Sequence, residues 1–126
     1  MQALEFVKQL GDSLHNVRSH RNDQPLQLVY VKGPPNLEKL QAHDFGPEDL
    51  RTLSDSVDGF SLMTYDYSSP YSPGPNAPLN WVHSTIKAVL GAGGKHLANK
   101  ILVGVNFYGN DYVIAEGMLS LYLRFF

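Results

Sequence analysis

The chain has 126 residues, 43% of them hydrophobic and 17% charged, which is the composition of one ordinary globular domain. A formal net charge of −2, with no two Lys or Arg residues adjacent, argues against nucleic acid and anionic membrane surfaces as partners. The absence of cysteine excludes disulfide bonds and thiolate metal sites, and no apolar run approaches the roughly 18 residues of a membrane span.

The first part of the chain predicts a helix followed by a strand. Apolar residues recur every three or four positions over residues 2–19, which predicts an amphipathic helix that Gly11 weakens slightly. Charged side chains interrupt this stretch, so it lacks the pattern of a signal peptide, and we expect no export signal in the chain. A β-rich apolar run, closed by Gly33 and two prolines, predicts a strand over 26–32.

A second helix and strand are predicted after a polar loop that contains His43. Pro47, with acidic residues directly after it, predicts the start of a short helix, because negative charge is favourable near a helix amino terminus. The apolar run that follows predicts a strand over 59–66, bounded by Gly59 and by a segment rich in serine and proline.

A third helix and strand complete the pattern. Helical spacing of apolar residues from Leu79 to Leu90, with Gly91 as a stop, predicts the helix, and an apolar run predicts a strand over 100–108. Helices and strands therefore alternate, and the strands are nearly continuous in apolar residues, as in parallel sheets whose two faces are both covered. The sequence predicts an α/β fold.

Polar residues gather at the carboxyl ends of the last two predicted strands. Tyr65 and Asp66 follow the apolar part of one strand, and Asn106 and Tyr108 close the next. Because parallel strands place their carboxyl ends at one edge of the sheet, where α/β proteins build their sites, these four are candidate site residues. The alternative is that the tyrosines belong to the core and that Asp66 only forms a turn.

Three sequence elements carry a family resemblance: MTYDY at 63–67, PGPNAPLNWV at 73–82 and KILVGVNFYG at 100–109. Together they resemble the region of the sixth and seventh strands of glycoside hydrolase family 18, the chitinase and chitinase-like family. The similarity covers residues 3–112. It implies a partial (β/α)₈ TIM barrel with three parallel strands and a saccharide cleft at their carboxyl ends.

The resemblance also implies a ligand and the residues that bind it. The ligand would be a chito-oligosaccharide, and the Tyr65 hydroxyl would stabilise the N-acetyl carbonyl that attacks the anomeric carbon in this substrate-assisted mechanism. For Trp81, which lies near a predicted helix start, packing is the alternative role. The substrate-binding residues implied in this way are Met63, Tyr65, Asp66, Trp81, Asn106 and Tyr108.

The acidic element of the family, D-x-x-D-x-D-x-E, does not occur in this sequence. In the family its final Glu protonates the leaving group, so we expect no general acid here, with Tyr65 as the one candidate for transition-state stabilisation. Residues 1–113 are therefore predicted to be a fragment of the barrel that begins after the fourth strand. Residues 114–126, which do not resemble the family, are predicted to be a divergent tail.

Three functions agree with these observations: a saccharide-binding module, part of an active chitinase that hydrolyses N-acetylglucosamine polymers, and an inactive truncated product. The absent acidic element favours binding. No pattern predicts a cofactor or a metal site, because the five histidines never show the H-x-x-x-H spacing. The family resemblance implies the secretory pathway, with an extracellular or lysosomal location.

Overall fold

The computed structural model describes residues 2–20, 22–34, 45–92, 94–115 and 118–125. The elements in chain order are helix α1 (Gln2–His15), strand β1 (Val29–Lys32), helix α2 (Pro47–Leu53), strand β2 (Gly59–Leu62), helix α3 (Leu79–Leu90), a 3-10 helix (Lys95–Lys100), and strands β3 (Ile101–Val103), β4 (Tyr108–Ala115) and β5 (Met118–Phe125). The predicted loop around His43 lies outside the described residues. None of the described helices is long and apolar enough to cross a membrane.

Helix α1 ends before the predicted boundary at residue 19. The Val17 N–H closes its last turn with a 3.0 Å bond to a carbonyl of the helix. Arg18 then forms an antiparallel bridge with Pro25, and the Leu26 N–H donates to the Val17 carbonyl at 3.0 Å. Because Leu26 pairs with this turn, its backbone is not available to the sheet, and β1 starts later than the predicted strand over 26–32.

Strands β1, β2 and β3 form a parallel sheet in that order. Val29 of β1 pairs with Gly59, and Phe60 of β2 pairs with Ile101 of β3. Helix α2 connects the first pair of strands and helix α3 the second, so each connection has the form of a βαβ unit. The sheet confirms the predicted alternation of helices with parallel strands.

The strands β2 and β3 end before the predicted boundaries at residues 66 and 108. The Met63 N–H still donates to the Lys32 carbonyl at 2.9 Å, and the Gly104 N–H donates to the Leu62 carbonyl at 2.8 Å. Beyond these bonds the chain after β2 leaves the extended conformation, because Asp66 is left-handed with a φ of 58°. The polar residues predicted to close the strands therefore lie in the segments directly after them.

One hydrophobic core joins the helices to one face of the sheet. Phe60, Leu62 and Thr64 are buried on this face, whereas Ser61 and Met63 between them are half-buried. This alternation confirms the predicted faces of the strand. The remaining buried members of the core come from α2, α3 and the connecting segments: Phe45, Leu50, Leu53, Val57, Val89 and Leu97.

The other face of the sheet carries exposed apolar side chains. Val29, Val31 and Leu102 are 45%, 60% and 49% exposed. The apolar strands predict cover on both faces, but within the described residues only the side that faces the helices is covered. In a (β/α)₈ barrel the second face lines the interior, which side chains from all eight strands fill together. Three strands supply only part of that layer, which explains the exposure.

Helix α1 contacts the connection between α2 and β2 very closely. Gly11 is buried, and a Cβ built on it would lie 2.0 Å from the Ser56 carbonyl oxygen. In the next position of the helix, Asp12 Oδ1 accepts a hydrogen bond from the Ser56 hydroxyl at 2.7 Å. The glycine predicted to weaken the helix is therefore the residue that allows the helix to dock.

Asp58 connects the end of α1 with the segment before β1. Its Oδ2 accepts the Leu28 N–H at 2.7 Å and lies 2.9 Å from His15 Nε2. Partial burial opposes ionisation, but the hydrogen bonds from His15 and Leu28 and the positive charge of Lys100 together lower the pKa of Asp58 below its usual 3.8. The carboxylate is thus a charged structural link between helix and sheet.

Strands β4 and β5 form an antiparallel hairpin, in which Tyr108 pairs with Phe125 and Ala115 with Met118. Tyr108, predicted to close the third parallel strand, is instead the first residue of this hairpin. Residues 104–107 carry the chain out of the parallel ladder, and the antiparallel partner then satisfies the backbone groups from residue 108 onward.

Candidate functional site

Two hydrogen bonds tie together the chain segments that follow β2 and β3. The Gly104 N–H donates to the Leu62 carbonyl at 2.8 Å, and Thr64 Oγ1 donates to the Gly104 carbonyl at 2.8 Å. A Cβ at residue 104 would lie 2.5 Å from the Leu62 oxygen and 3.0 Å from Tyr65 Cε1, so a side chain does not fit there. The Tyr65 ring therefore lies directly beside the backbone of the neighbouring segment.

Three of the predicted site residues meet at this edge of the sheet: Tyr65, Asp66 and Tyr108, named here the Tyr–Asp cluster. The Tyr108 hydroxyl donates to Asp66 Oδ1 at 2.7 Å. The rings of Tyr65 and Tyr108 are 6.3 Å apart between centroids and nearly perpendicular, with an interplanar angle of 77°, which is a favourable edge-to-face contact. The residues are far apart in sequence, and the parallel arrangement of β2 and β3 brings them together.

The electrostatics of the Tyr–Asp cluster keep Tyr108 protonated. Partial burial, the hydrogen bond to Asp66 and the nearby Asp66 charge raise the pKa of Tyr108 to about 12, because each disfavours a phenolate. Tyr108 is therefore a permanent hydrogen-bond donor at neutral pH. Since it donates to Oδ1 of Asp66, it orients that carboxylate.

Two polar groups of the cluster are available for a ligand. Within the part of the chain that the structure describes, Asp66 Oδ2 and the Tyr65 hydroxyl make no hydrogen bond. A carboxylate oxygen accepts hydrogen bonds, and a phenol both donates and accepts. The described residues contain no group of three His, Asp or Glu side chains arranged as metal ligands. Asp66 Oδ2 and the Tyr65 hydroxyl therefore offer hydrogen bonds to a ligand.

The backbone of Asp66 is held by the proline-rich loop at 68–78. Asn76 Oδ1 accepts the Asp66 N–H at 2.8 Å, and the Asn76 carbonyl accepts the Tyr67 N–H at 2.8 Å. Ser68 Oγ donates to the Pro75 carbonyl at 2.8 Å and closes the same loop. The loop therefore lies against the Tyr–Asp cluster, at the same rim of the sheet.

The other predicted site residues are Trp81, Asn106 and Met63. Trp81 is half-buried, and its ring lies 5.1 Å from the ring of Tyr67, which is itself 54% exposed. Asn106 Nδ2 donates to the backbone carbonyl of Tyr108. Met63 is half-buried on the sheet face away from the helices. The structure thus brings together three of the six predicted residues and leaves Trp81 in an adjacent aromatic pair.

Asn76 is the residue of this region that the sequence predictions missed. It lies within the quoted PGPNAP segment, where asparagine is an ordinary turn residue, so nothing in the local pattern separates a turn former from a clamp. The sequence feature that could have indicated Asn76 is Asp66. Where a residue other than glycine adopts an irregular backbone after a strand, another side chain often supplies a hydrogen bond to that backbone.

A cavity of about 430 Å³ lies at the opposite end of the sheet. Its walls come from the segments before β1 and β2, including Asn22, Gln24, Gln27 and Asp58. Asp58 is already committed to Leu28 and to helix α1 as described above. The Tyr–Asp cluster, by contrast, has polar groups that make no hydrogen bond to the described residues, so the chemistry favours the carboxyl rim over this cavity as the candidate site.

Comparison with known structures identifies the barrel to which this sheet belongs. The chain superimposes on a chitinase from Chromobacterium violaceum with a TM-score of 0.68 at 22% identity, over 97% of this chain and 35% of that one. It also superimposes on Bacillus subtilis ydhD, described as a sporulation-specific glycosylase, with a TM-score of 0.62 at 21% identity, over 98% of this chain and 37% of that one. These similarities confirm the predicted partial (β/α)₈ barrel.

Sequence comparison also finds a relative that is described as a glycosylase. The chain is 31% identical over 75 residues to YvbX of Bacillus subtilis strain 168, described as an uncharacterized glycosylase, which covers 59% of this chain and 21% of YvbX. The chain thus spans about a fifth of that relative's length and little more than a third of the solved structures. The model of the glycosyl hydrolases family 18 matches residues 2–120, most of the sequence, and this chain therefore belongs to that family.

Proposed function

We propose that this chain is a family 18-type barrel fragment that binds chito-oligosaccharide through the Tyr–Asp cluster. The observation that carries the proposal is the meeting of Tyr65, Asp66 and Tyr108 at the carboxyl rim of the sheet, with one carboxylate oxygen and one phenol unused by the described residues. Sites of parallel α/β folds lie at this rim.

The polar groups match the chemistry of an N-acetylglucosamine unit. The Tyr65 hydroxyl can donate to the N-acetyl carbonyl, and Asp66 Oδ2 can accept from the amide N–H or a ring hydroxyl. The Tyr67–Trp81 pair next to the cluster offers an exposed ring face for apolar contact with a sugar ring. Met63 and Asn106 complete the proposed binding set at the base of the same rim.

Hydrolysis is the second candidate, as part of an active chitinase, and the similarity to the chitinase of Chromobacterium violaceum favours it. Glycoside hydrolysis needs a proton donor for the leaving group. The family resemblance assigns that proton to the final Glu of D-x-x-D-x-D-x-E, and this element does not occur in this sequence. Binding without turnover is therefore the function we favour for this chain, with an inactive truncated product as the third candidate.

Two finer assignments belong to the same proposal. The PGPNAP loop resembles the corresponding loop of chitinase domain-containing protein 1, and we place the chain in that chitinase-like branch of the family. We also propose that residues 1–113 form the barrel fragment and that 114–126 are a divergent tail.

The experiment is a calorimetric titration of the purified chain with chitotetraose. Asp66→Asn and Tyr65→Phe should each weaken binding by about 1 to 3 kcal/mol, or roughly 5- to 150-fold, because each leaves a ligand group without its partner. Two matched controls should leave the affinity unchanged. Asp23→Asn alters a second aspartate whose backbone is left-handed, with a φ of 54°, and Tyr30→Phe alters a tyrosine that stacks on Phe45 in the core.

The outcomes separate the three candidates. Unchanged affinity in both site variants would remove the Tyr–Asp cluster from the site. Release of free sugar from chitotetraose by the wild-type chain would favour the hydrolase. A wild-type chain that melts without a cooperative transition would favour the inactive product.

A further inference from the structure

Asp66 has a backbone conformation that needs support. Its φ of 58° is in the left-handed region, where a residue with a Cβ is strained and where asparagine and aspartate occur more often than other non-glycine residues. Residues held in such conformations gather at functional sites, provided that the surroundings fix them. One side chain of the proline-rich loop contacts both its backbone N–H and its carboxylate.

Asn76 contacts Asp66 at two points. Its Oδ1 accepts the Asp66 N–H at 2.8 Å, and its Nδ2 faces Asp66 Oδ1 at 3.4 Å. A backbone N–H can only donate, so the amide oxygen must lie on that side, and the amide nitrogen must then point to the carboxylate. The orientation of Asn76 is therefore fixed by hydrogen-bond chemistry.

The same amide also reaches Tyr108. A hydrogen bond from Asn76 to the Tyr108 oxygen favours the phenolate, whereas Asp66 favours the phenol. The Asn76 amide, the Asp66 carboxylate and the Tyr108 phenol thus contact one another. Tyr108 and Asn76 both donate to Oδ1 of Asp66, which leaves Oδ2 for other partners.

We propose that Asn76 is a positioning residue for the saccharide site: it holds Asp66 in the left-handed conformation and so aims the free carboxylate oxygen at the ligand. The part that concerns the ligand depends on the proposed function, but the part that concerns Asp66 does not. The structural role can therefore be tested without any sugar.

The sugar-free experiment measures the titration of the Tyr108 phenol by NMR of ring-labelled tyrosine. The direction of the shift in Asn76→Ala is decisive, because two effects oppose each other. If Asn76 positions Asp66, its removal releases the carboxylate from Tyr108, and the pKa of Tyr108 falls from about 12 toward its ordinary 10.0. If Asn76 acts only on Tyr108, its removal raises that pKa. A rise, or no change, would overturn the proposal.

Two further variants separate positioning from general loop stability. Ser68→Ala removes the hydrogen bond to the Pro75 carbonyl in the same loop, and it should leave the Tyr108 pKa unchanged. An equal fall in Ser68→Ala would show that the loop as a whole, and not the Asn76 amide, controls Asp66. Asp66→Gly accepts the left-handed backbone without support. Adding Asn76→Ala to Asp66→Gly should therefore cost less stability than Asn76→Ala alone, because only the bond to the backbone N–H of residue 66 is then lost, and an equal loss in both backgrounds would contradict the inference.

Titration with chitotetraose completes the test. Asn76→Ala should reduce affinity by roughly the same factor as Asp66→Asn, about 5- to 150-fold. Wild-type affinity combined with a lowered Tyr108 pKa would refute the ligand part alone. Absence of binding by the wild-type chain would refute the proposed function, while the phenol titration would still decide whether Asn76 positions Asp66.

Discussion

The substitution Gly11→Ala tests the docking of helix α1, because two effects of known size compete. Glycine inside a helix costs about 1 kcal/mol relative to alanine, so helix propensity alone predicts that the variant is more stable. The structure predicts the opposite. A Cβ at Gly11 would lie 2.0 Å from the Ser56 carbonyl oxygen, which is backbone and cannot rotate away.

The size of the expected stability loss follows from the contacts that helix α1 would lose. Moving α1 by about 1 Å to relieve this contact carries the usual 1 to 3 kcal/mol of an overpacked site. The same movement stretches the 2.7 Å bond between Ser56 and Asp12 and the 2.9 Å contact between His15 and Asp58, each worth about 1 kcal/mol. After subtraction of the gain of about 1 kcal/mol in helix propensity, we expect a net loss of about 2 to 4 kcal/mol.

The assay is urea unfolding followed by far-ultraviolet circular dichroism and by fluorescence of the single tryptophan, Trp81. For a chain of this size the expected loss lowers the thermal midpoint by about 8 to 16 °C. Ser13→Ala, an exposed position in the same helix, is the matched control and should gain a few tenths of a kcal/mol. A Gly11→Ala variant that unfolds at higher urea than the wild type would refute the described docking of α1.

Two further predictions concern the interior and the acid stability of the molecule. Thr85 is fully buried, and its hydroxyl has no hydrogen-bond partner among the described residues. Thr85→Val should therefore stabilise the chain by about 1 kcal/mol in the same urea assay. A loss of stability would indicate that the hydroxyl makes a hydrogen bond. The folded-state pKa of Asp58 is lowered, so the stability it contributes is present above its usual pKa of 3.8 and is lost as the pH falls through the lower folded-state value. Asp58→Asn should therefore be less stable than the wild type at pH 6, and the difference should shrink below about pH 4; a constant difference across this range would contradict the assigned charge state.

The order of helices and strands could be predicted because their patterns are local. Each helix shows apolar residues at its own period, and stops such as Gly91, whose φ is 59°, act within one turn. The strand ends could not be predicted in the same way. The run at 59–66 continues to look extended through Thr64, whereas the left-handed Asp66 after it donates its N–H to Asn76, ten residues further along the chain.

The candidate site could also be predicted only in part from the sequence. Tyr65, Asp66 and Tyr108 could be proposed from the rule that parallel strands place their carboxyl ends together, and the structure brings all three into contact. The actual partners could not be read from the sequence. Loop geometry decides which oxygen of Asp66 accepts the Tyr108 hydroxyl and brings Asn76 into contact with both residues. That geometry follows from contacts across the fold and not from the local sequence pattern.

The central position of β2 has a consequence for how the sheet assembles. β1 and β3 do not pair with each other, so neither can join the parallel sheet before β2 is present. Each pairing closes a loop of roughly 30 to 40 residues, an entropic cost of about 3 kcal/mol that must be met before the ladder bonds form. The burial of Phe60 and Leu62 against the helices can offset that cost early, because both side chains lie on the middle strand. We therefore expect the sheet to form from its middle strand outwards.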